Sequence, residues 1–215
     1  MSKELSGRRG LLAALGTVAG ALAVGSRRAE AQSTGAAYRP VFHEQDSWMD
    51  KPGKHRVICD VSSAVGVVEA LRFVGNIYEG NRAGYGVEQG DLAVIVILRH
   101  QATSFGYGNA LWAKYNAAYL EHSLYKPASG ANGQTTNPHL TANALEGFIK
   151  RGVQFGICAT ATRGIIRRIT SAAPEGEAIF KEVSANLIPN SRLVPAGVVA
   201  VTRAQEYGYS VLHIG

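Results

Sequence analysis

Asp91-Leu92-Ala93-Val94-Ile95-Val96-Ile97-Leu98 is an almost unbroken aliphatic run that ends in Arg99-His100. A strand wetted on one face alternates apolar and polar residues. A strand covered on both faces, as in a parallel sheet, is apolar throughout. Shorter runs of the same kind lie on either side: 56–61 (Arg56-Val57-Ile58-Cys59-Asp60-Val61), 153–158 (Val153-Gln154-Phe155-Gly156-Ile157-Cys158), the brief 192–195, and 209–214. Helical spacing fills the gaps. Residues 64–78 set Val67, Val68, Leu71, Val74 and Ile77 or Tyr78 on one broad face, and four glycines make 80–90 a loop. Further helices are expected over 105–124, over 140–150 with Gly152 as cap, from Cys158 to about Leu187 with a break near Pro174-Glu175-Gly176, and over 198–205. Residues 125–139 lack an apolar period and read as a long surface loop. Strands alternating with helices predict an α/β fold: one small doubly wound domain, a mostly parallel sheet of about five strands with helices on both faces.

The chain divides into 1–31, 32–54 and 55–215. In the first part, Ser6-Gly7-Arg8-Arg9-Gly10-Leu11-Leu12 resembles a twin-arginine export motif. A mild apolar run, 11–24, follows, then Arg27-Arg28 and the small-x-small step Ala29-Glu30-Ala31. The expectation is export with cleavage after Ala31, a periplasmic or otherwise extracytoplasmic location, and membrane contact only during export. An uncleaved anchor is the alternative. Residues 32–54 read as a polar arm with Tyr38, Phe42 and Trp48, packing on the domain or on a neighbouring subunit. The formal charge of the 215 residues is +6. Lys3, Arg8, Arg9, Arg27 and Arg28, set against Glu4 and Glu30, account for half of it. With no Lys/Arg stripe beyond Arg167-Arg168, nucleic acid is not an expected partner.

Ligands of doubly wound sheets bind at the carboxyl ends of the strands. Asp60 and Ser62 close the first strand, His100 the second, Cys158 the third. A thiol at a helix start meets unpaired N–H groups and the positive end of the dipole, which favour thiolate over thiol. Arg163 would add to this if it folded back. Cys158 is thus a candidate nucleophile or sulfur carrier, or else a buried structural cysteine. Cys59, inside a strand, reads as buried, and a Cys59–Cys158 disulfide stays open because the strand order is unknown. His100 is a candidate base. The spacings Gly84-x-Gly86 and Gly106-x-Gly108 match no nucleotide fingerprint, and no His pair has metal-ligand spacing, so no cofactor is indicated. Tyr107, Trp112, Tyr115, Tyr119 and Tyr125 read as core or subunit interface.

Gly152-Val153-Gln154-Phe155-Gly156-Ile157-Cys158 resembles the G-V-x-F-x-x-C segment of the DsrE/DsrF-like (YchN-like) sulfur-relay family. Val194-Pro195-Ala196-Gly197-Val198 is similar to its V-P-S-G-V step, and Gln205-Glu206-Tyr207-Gly208-Tyr209 to its closing Q-x-x-G-Y. The likeness spans about 55–215. It implies a small doubly wound fold assembled into trimers or hexamers. It also implies that Cys158 carries sulfane sulfur as a persulfide between a donor and an acceptor protein, with His100 a neighbour by position. Export and the 125–139 insertion depart from the family pattern. A non-catalytic binding or scaffold subunit with the same fold is the alternative.

Overall fold

In β2 (Leu92–Leu98) all seven residues are buried, and the pleat sorts them between two cores. Leu92, Val94, Val96 and Leu98 face one side of the sheet; Ala93, Ile95 and Ile97 face the other. The computed structural model describes residues 46–128, 130, 133–141 and 144–215. The leader and most of the arm lie outside the described residues.

Around β2 stand β1 (His55–Val61), β3 (Gln154–Cys158), β4 (Ser191–Val194) and β5 (Ser210–Ile214). The order is β4-β3-β2-β1-β5, with every pairing parallel. On one face pack α1 (Ala64–Tyr85), α2 (Asn109–Ser123), α4 (Ala159–Ile169) and α5 (Ala173–Ala185), with α3 (Leu145–Lys150) beside them. The other face is covered by α6 (Gly197–Glu206) through Ala200, Val201 and Ala204. A 3-10 turn at Asp46–Met49 joins it, burying Trp48 and Met49. The end of the arm therefore packs on the domain itself. Tyr209 fastens that turn, donating its hydroxyl to the Met49 carbonyl at 2.9 Å.

Three elements differ from the sequence reading. Helix α1 runs on through Gly80 and Gly84 to Tyr85. Each internal glycine costs about 1 kcal/mol against alanine, yet burial of Val74 and Tyr78 on the same helix carries it forward. Gly86, at φ +61°, ends the helix with its N–H on the Arg82 carbonyl. The helix expected over 105–124 is a 3-10 segment, His100–Gly106, followed by α2. Gly106 passes so close to β3 that a Cβ there would meet Ile157 Cδ1 at 2.1 Å. The helix expected over 140–150 shortens to α3. Asn137 holds the end of the preceding loop, donating to the Phe105 and Tyr107 carbonyls at 2.7 and 2.9 Å. Tyr107, Trp112 and Tyr119 are core residues in ring contact, not surface. Among the described residues no helix is long and apolar enough to cross a membrane.

Candidate functional site

The connection leaving β3 enters α4 on one face of the sheet, and the one leaving β4 enters α6 on the other. Between those strands the winding reverses. Adjacent connections diverge there, at the carboxyl edge where sheets of this kind take their ligands. Cys158 ends β3 at this point and caps α4.

The thiol is set by both helices. Its Sγ accepts the Ala161 N–H of α4 at 3.4 Å and the Gly197 N–H of α6 at 3.3 Å. Two donors from two helix starts place positive dipole ends on one sulfur, an arrangement suited to negative charge there. The backbone is held from beneath. Thr162 donates its hydroxyl to the Cys158 carbonyl at 2.9 Å. That leaves the buried Tyr107 hydroxyl to donate to Thr162 Oγ1, at 2.7 Å. Thr160 donates to the Pro195 carbonyl at 2.9 Å and ties α4 to the turn before α6. The residue Cys158 is 6% exposed.

A charged row continues across the same edge. Asp60, near the end of β1, takes a two-pronged bond from Arg99, which follows β2: Nε to Oδ1 at 2.6 Å and Nη2 to Oδ2 at 2.9 Å. His213, from β5, meets the same Oδ2 through Nδ1 at 2.9 Å. The Arg99 and Asp60 side chains are only 13% and 10% exposed, whereas His213 is 60% exposed. Burial by itself would raise the Asp60 carboxyl. The bonds from Arg99 and His213, with their charges, outweigh it and hold the group below the usual carboxylate range. The Asp60 bond raises Arg99 against the opposing effect of burial, with the charges of Asp60 and Cys158 adding to the rise. Gly197 joins the two halves of the site. Its N–H reaches Cys158, and a Cβ on it would stand 2.6 Å from Arg99 Cβ.

The residues singled out from sequence divide accordingly. Cys158 sits where expected, at strand end and helix start. Arg163 does not fold back: it bonds Glu177 at 2.7 Å and lies 4.0 Å over the Phe180 ring. His100 has an exposed side chain and φ +49°, and its carbonyl is what is engaged, by His122 Nε2 at 2.9 Å. Arg99, its neighbour, is the residue after β2 that the fold brings to the charged row at this edge. The open disulfide reading is corrected. Cys59 lies opposite Phe155 across the intervening β2, about 10 Å away at ordinary strand spacing, too far for a bridge. Both thiols are free. Burial pushes the Cys59 thiol up to about 12.

Arg99, His213 and Gly197 are the members that sequence reasoning passed over. The available signal was position, since each stands at the carboxyl end of a strand or just beyond it. Among the described residues no three His, Cys, Asp or Glu side chains gather to hold a metal.

Fold and edge together define a doubly wound α/β domain with a thiol at its switch point. No family model matches the chain, and no curated protein does. Among solved structures it is similar to a protein of unknown function from Methanobacterium thermoautotrophicum, at 11% identity and a TM-score of 0.43. That match covers 74% of this chain and 99% of the other.

Proposed function

We propose that this is a sulfur-handling protein of the DsrE-like kind, working outside the cytoplasm, in which Cys158 carries sulfane sulfur as a persulfide. The observation that carries the reading is the pair of N–H bonds, from Ala161 and Gly197, to a single sulfur at the switch point. A persulfide anion keeps the need for such donors, so the same cradle serves the loaded and unloaded forms. The motif likeness around Cys158 and Pro195-Ala196-Gly197 supports it from sequence, and the twin-arginine-like leader supports the location. Assembly into trimers or hexamers belongs to the same reading, with light scattering on the mature protein as its check. The second reading, a binding or scaffold subunit with an inert thiol, is favoured by the 6% exposure of Cys158.

One experiment separates the two. The mature protein and a Cys158→Ser variant are incubated with thiosulfate or polysulfide and weighed intact by mass spectrometry. A gain of one sulfur atom, reversed by reductant and absent from the variant, supports the carrier. No adduct on folded, reduced protein sinks it and leaves the scaffold reading.

A further inference from the structure

The Asp60–Arg99 pair uses only part of the guanidinium. Arg presents five N–H donors, and a side-on fork through Nε and Nη2 consumes two of them. Among the described residues Nη1 has no hydrogen-bond partner. The side chain is 13% exposed, so this edge keeps contact with solvent and is open to a polar ligand. Gly197 stands between the stem of Arg99 and the sulfur: a Cβ on it would lie 2.6 Å from Arg99 Cβ and 3.1 Å from Arg99 Cδ, and its N–H bonds Cys158 Sγ. The charge of Cys158 is among those that act on Arg99. Asp60 holds the guanidinium in place from below, so its orientation is built in.

We infer that Arg99 is the substrate-recognition residue of the Cys158 site and that it receives the negative group of an anionic sulfane donor of the thiosulfate class. The inference rests on the sulfur-carrier reading for its chemistry, though not for its electrostatics. The step it serves starts from the Cys158 thiolate, which attacks the outer sulfur of thiosulfate. An S–S bond forms to Sγ, the bond between the two donor sulfurs breaks, and its electron pair leaves with sulfite. The product is the Cys158 persulfide anion, and charge balances without an added oxidant or reductant. Arg99 meets the sulfonate oxygens, which a two-donor planar edge fits better than an ammonium does.

The test compares two alkylating reagents of similar size, anionic iodoacetate and neutral iodoacetamide, with modification of Cys158 located by peptide mass mapping. The readout is the ratio of their rates at one pH. In the wild type, high salt lowers this ratio. In Arg99→Met the ratio falls by about fivefold or more. Because that variant strands the Asp60 charge, which itself repels the anion, the double variant Asp60→Asn/Arg99→Met, which strands none, is measured beside it and gives a smaller fall in the same direction. Arg99→Lys keeps most of the preference for the anion. An unchanged ratio in the folded double variant overturns the assignment, as does failure of both reagents to reach Cys158 in the native protein. A ratio that depends on Arg99, with no sulfur taken from thiosulfate, upholds the anion subsite and sinks the carrier reading instead.

Discussion

Asp60 connects charge with stability at the residue scale. Its carboxylate answers Arg99 and His213 together, in a place where neither Asp60 nor Arg99 is well hydrated. Replacing it by asparagine leaves the guanidinium without its counter-ion, and breaking such a pair costs about 3 kcal/mol. We expect Asp60→Asn to lower the urea midpoint at neutral pH with an unchanged slope. The pH dependence has a definite sign. The folded carboxyl is depressed, so its contribution is fully present above the unfolded value near about 3.9 and is lost as pH falls through the folded value. The gap between wild type and variant should therefore close as pH falls below about 4. A gap that stays open well below the folded value would refute this account. Cys59 offers a second check at this scale. With its thiol pushed up to about 12 under burial, thiol titration at pH 8 should count Cys59 only after denaturant is added.

At the scale of elements, α1 and α6 are each set by a small residue at the start. Ser63 accepts the Gly66 N–H on its hydroxyl at 2.9 Å and caps α1. Ser63→Ala should cost about 1 kcal/mol in a denaturant titration, with the site unaffected. Gly197 is a different case, because the element is held down by what the residue lacks. A methyl there would meet Arg99 Cβ at 2.6 Å and Ile97 Cγ2 at 3.2 Å. The first is close to the backbone of β2 and cannot swing aside. Gly197→Ala should cost about 1–3 kcal/mol and lift the start of α6 from Cys158, so that calorimetry and thiol labelling change together. Element ends also show what was readable beforehand. A break was legible from proline, but it falls at 170–172 rather than at 174–176: Pro174 sits inside the first turn of α5, which begins at Ala173, where proline fits. The continuation of α1 past Gly80 was not, because local propensity argues for a loop and the deciding burial of Tyr78 is tertiary.

For the molecule as a whole, the parallel sheet makes its ends interdependent. β5 joins the sheet beside β1, across most of the chain's length. The Ser62 N–H bonds the Ile214 carbonyl at 3.1 Å, while Tyr209 holds the turn at 46–49. Deleting residues 209–215 should therefore do more than fray a terminus. It removes His213 from Asp60, exposes the edge of β1 and uncovers Met49. We expect the truncated chain to lose its cooperative unfolding transition by circular dichroism; a sharp transition near the wild-type midpoint would show β5 to be dispensable.

The sequence by itself determined the class of fold and the place of Cys158. Apolar runs without alternation mean strands covered on both faces, and a strand running straight into a helical period puts its last residue at the sheet's carboxyl edge. Both are local patterns that survive without knowledge of neighbours. The Ala161 N–H is a local partner of Cys158, but what surrounds the thiol from elsewhere in the chain was decided by the tertiary structure. Arg163 is one helical turn away in sequence, yet it is claimed by Glu177 and Phe180. Arg99, Asp60 and His213 come from three other strands. They converge because the order β4-β3-β2-β1-β5 aligns those strand ends along one edge, and Gly197 reaches Cys158 because β4 lies beside β3. Strand order is a property of packing between distant segments, and no periodicity along the chain encodes it.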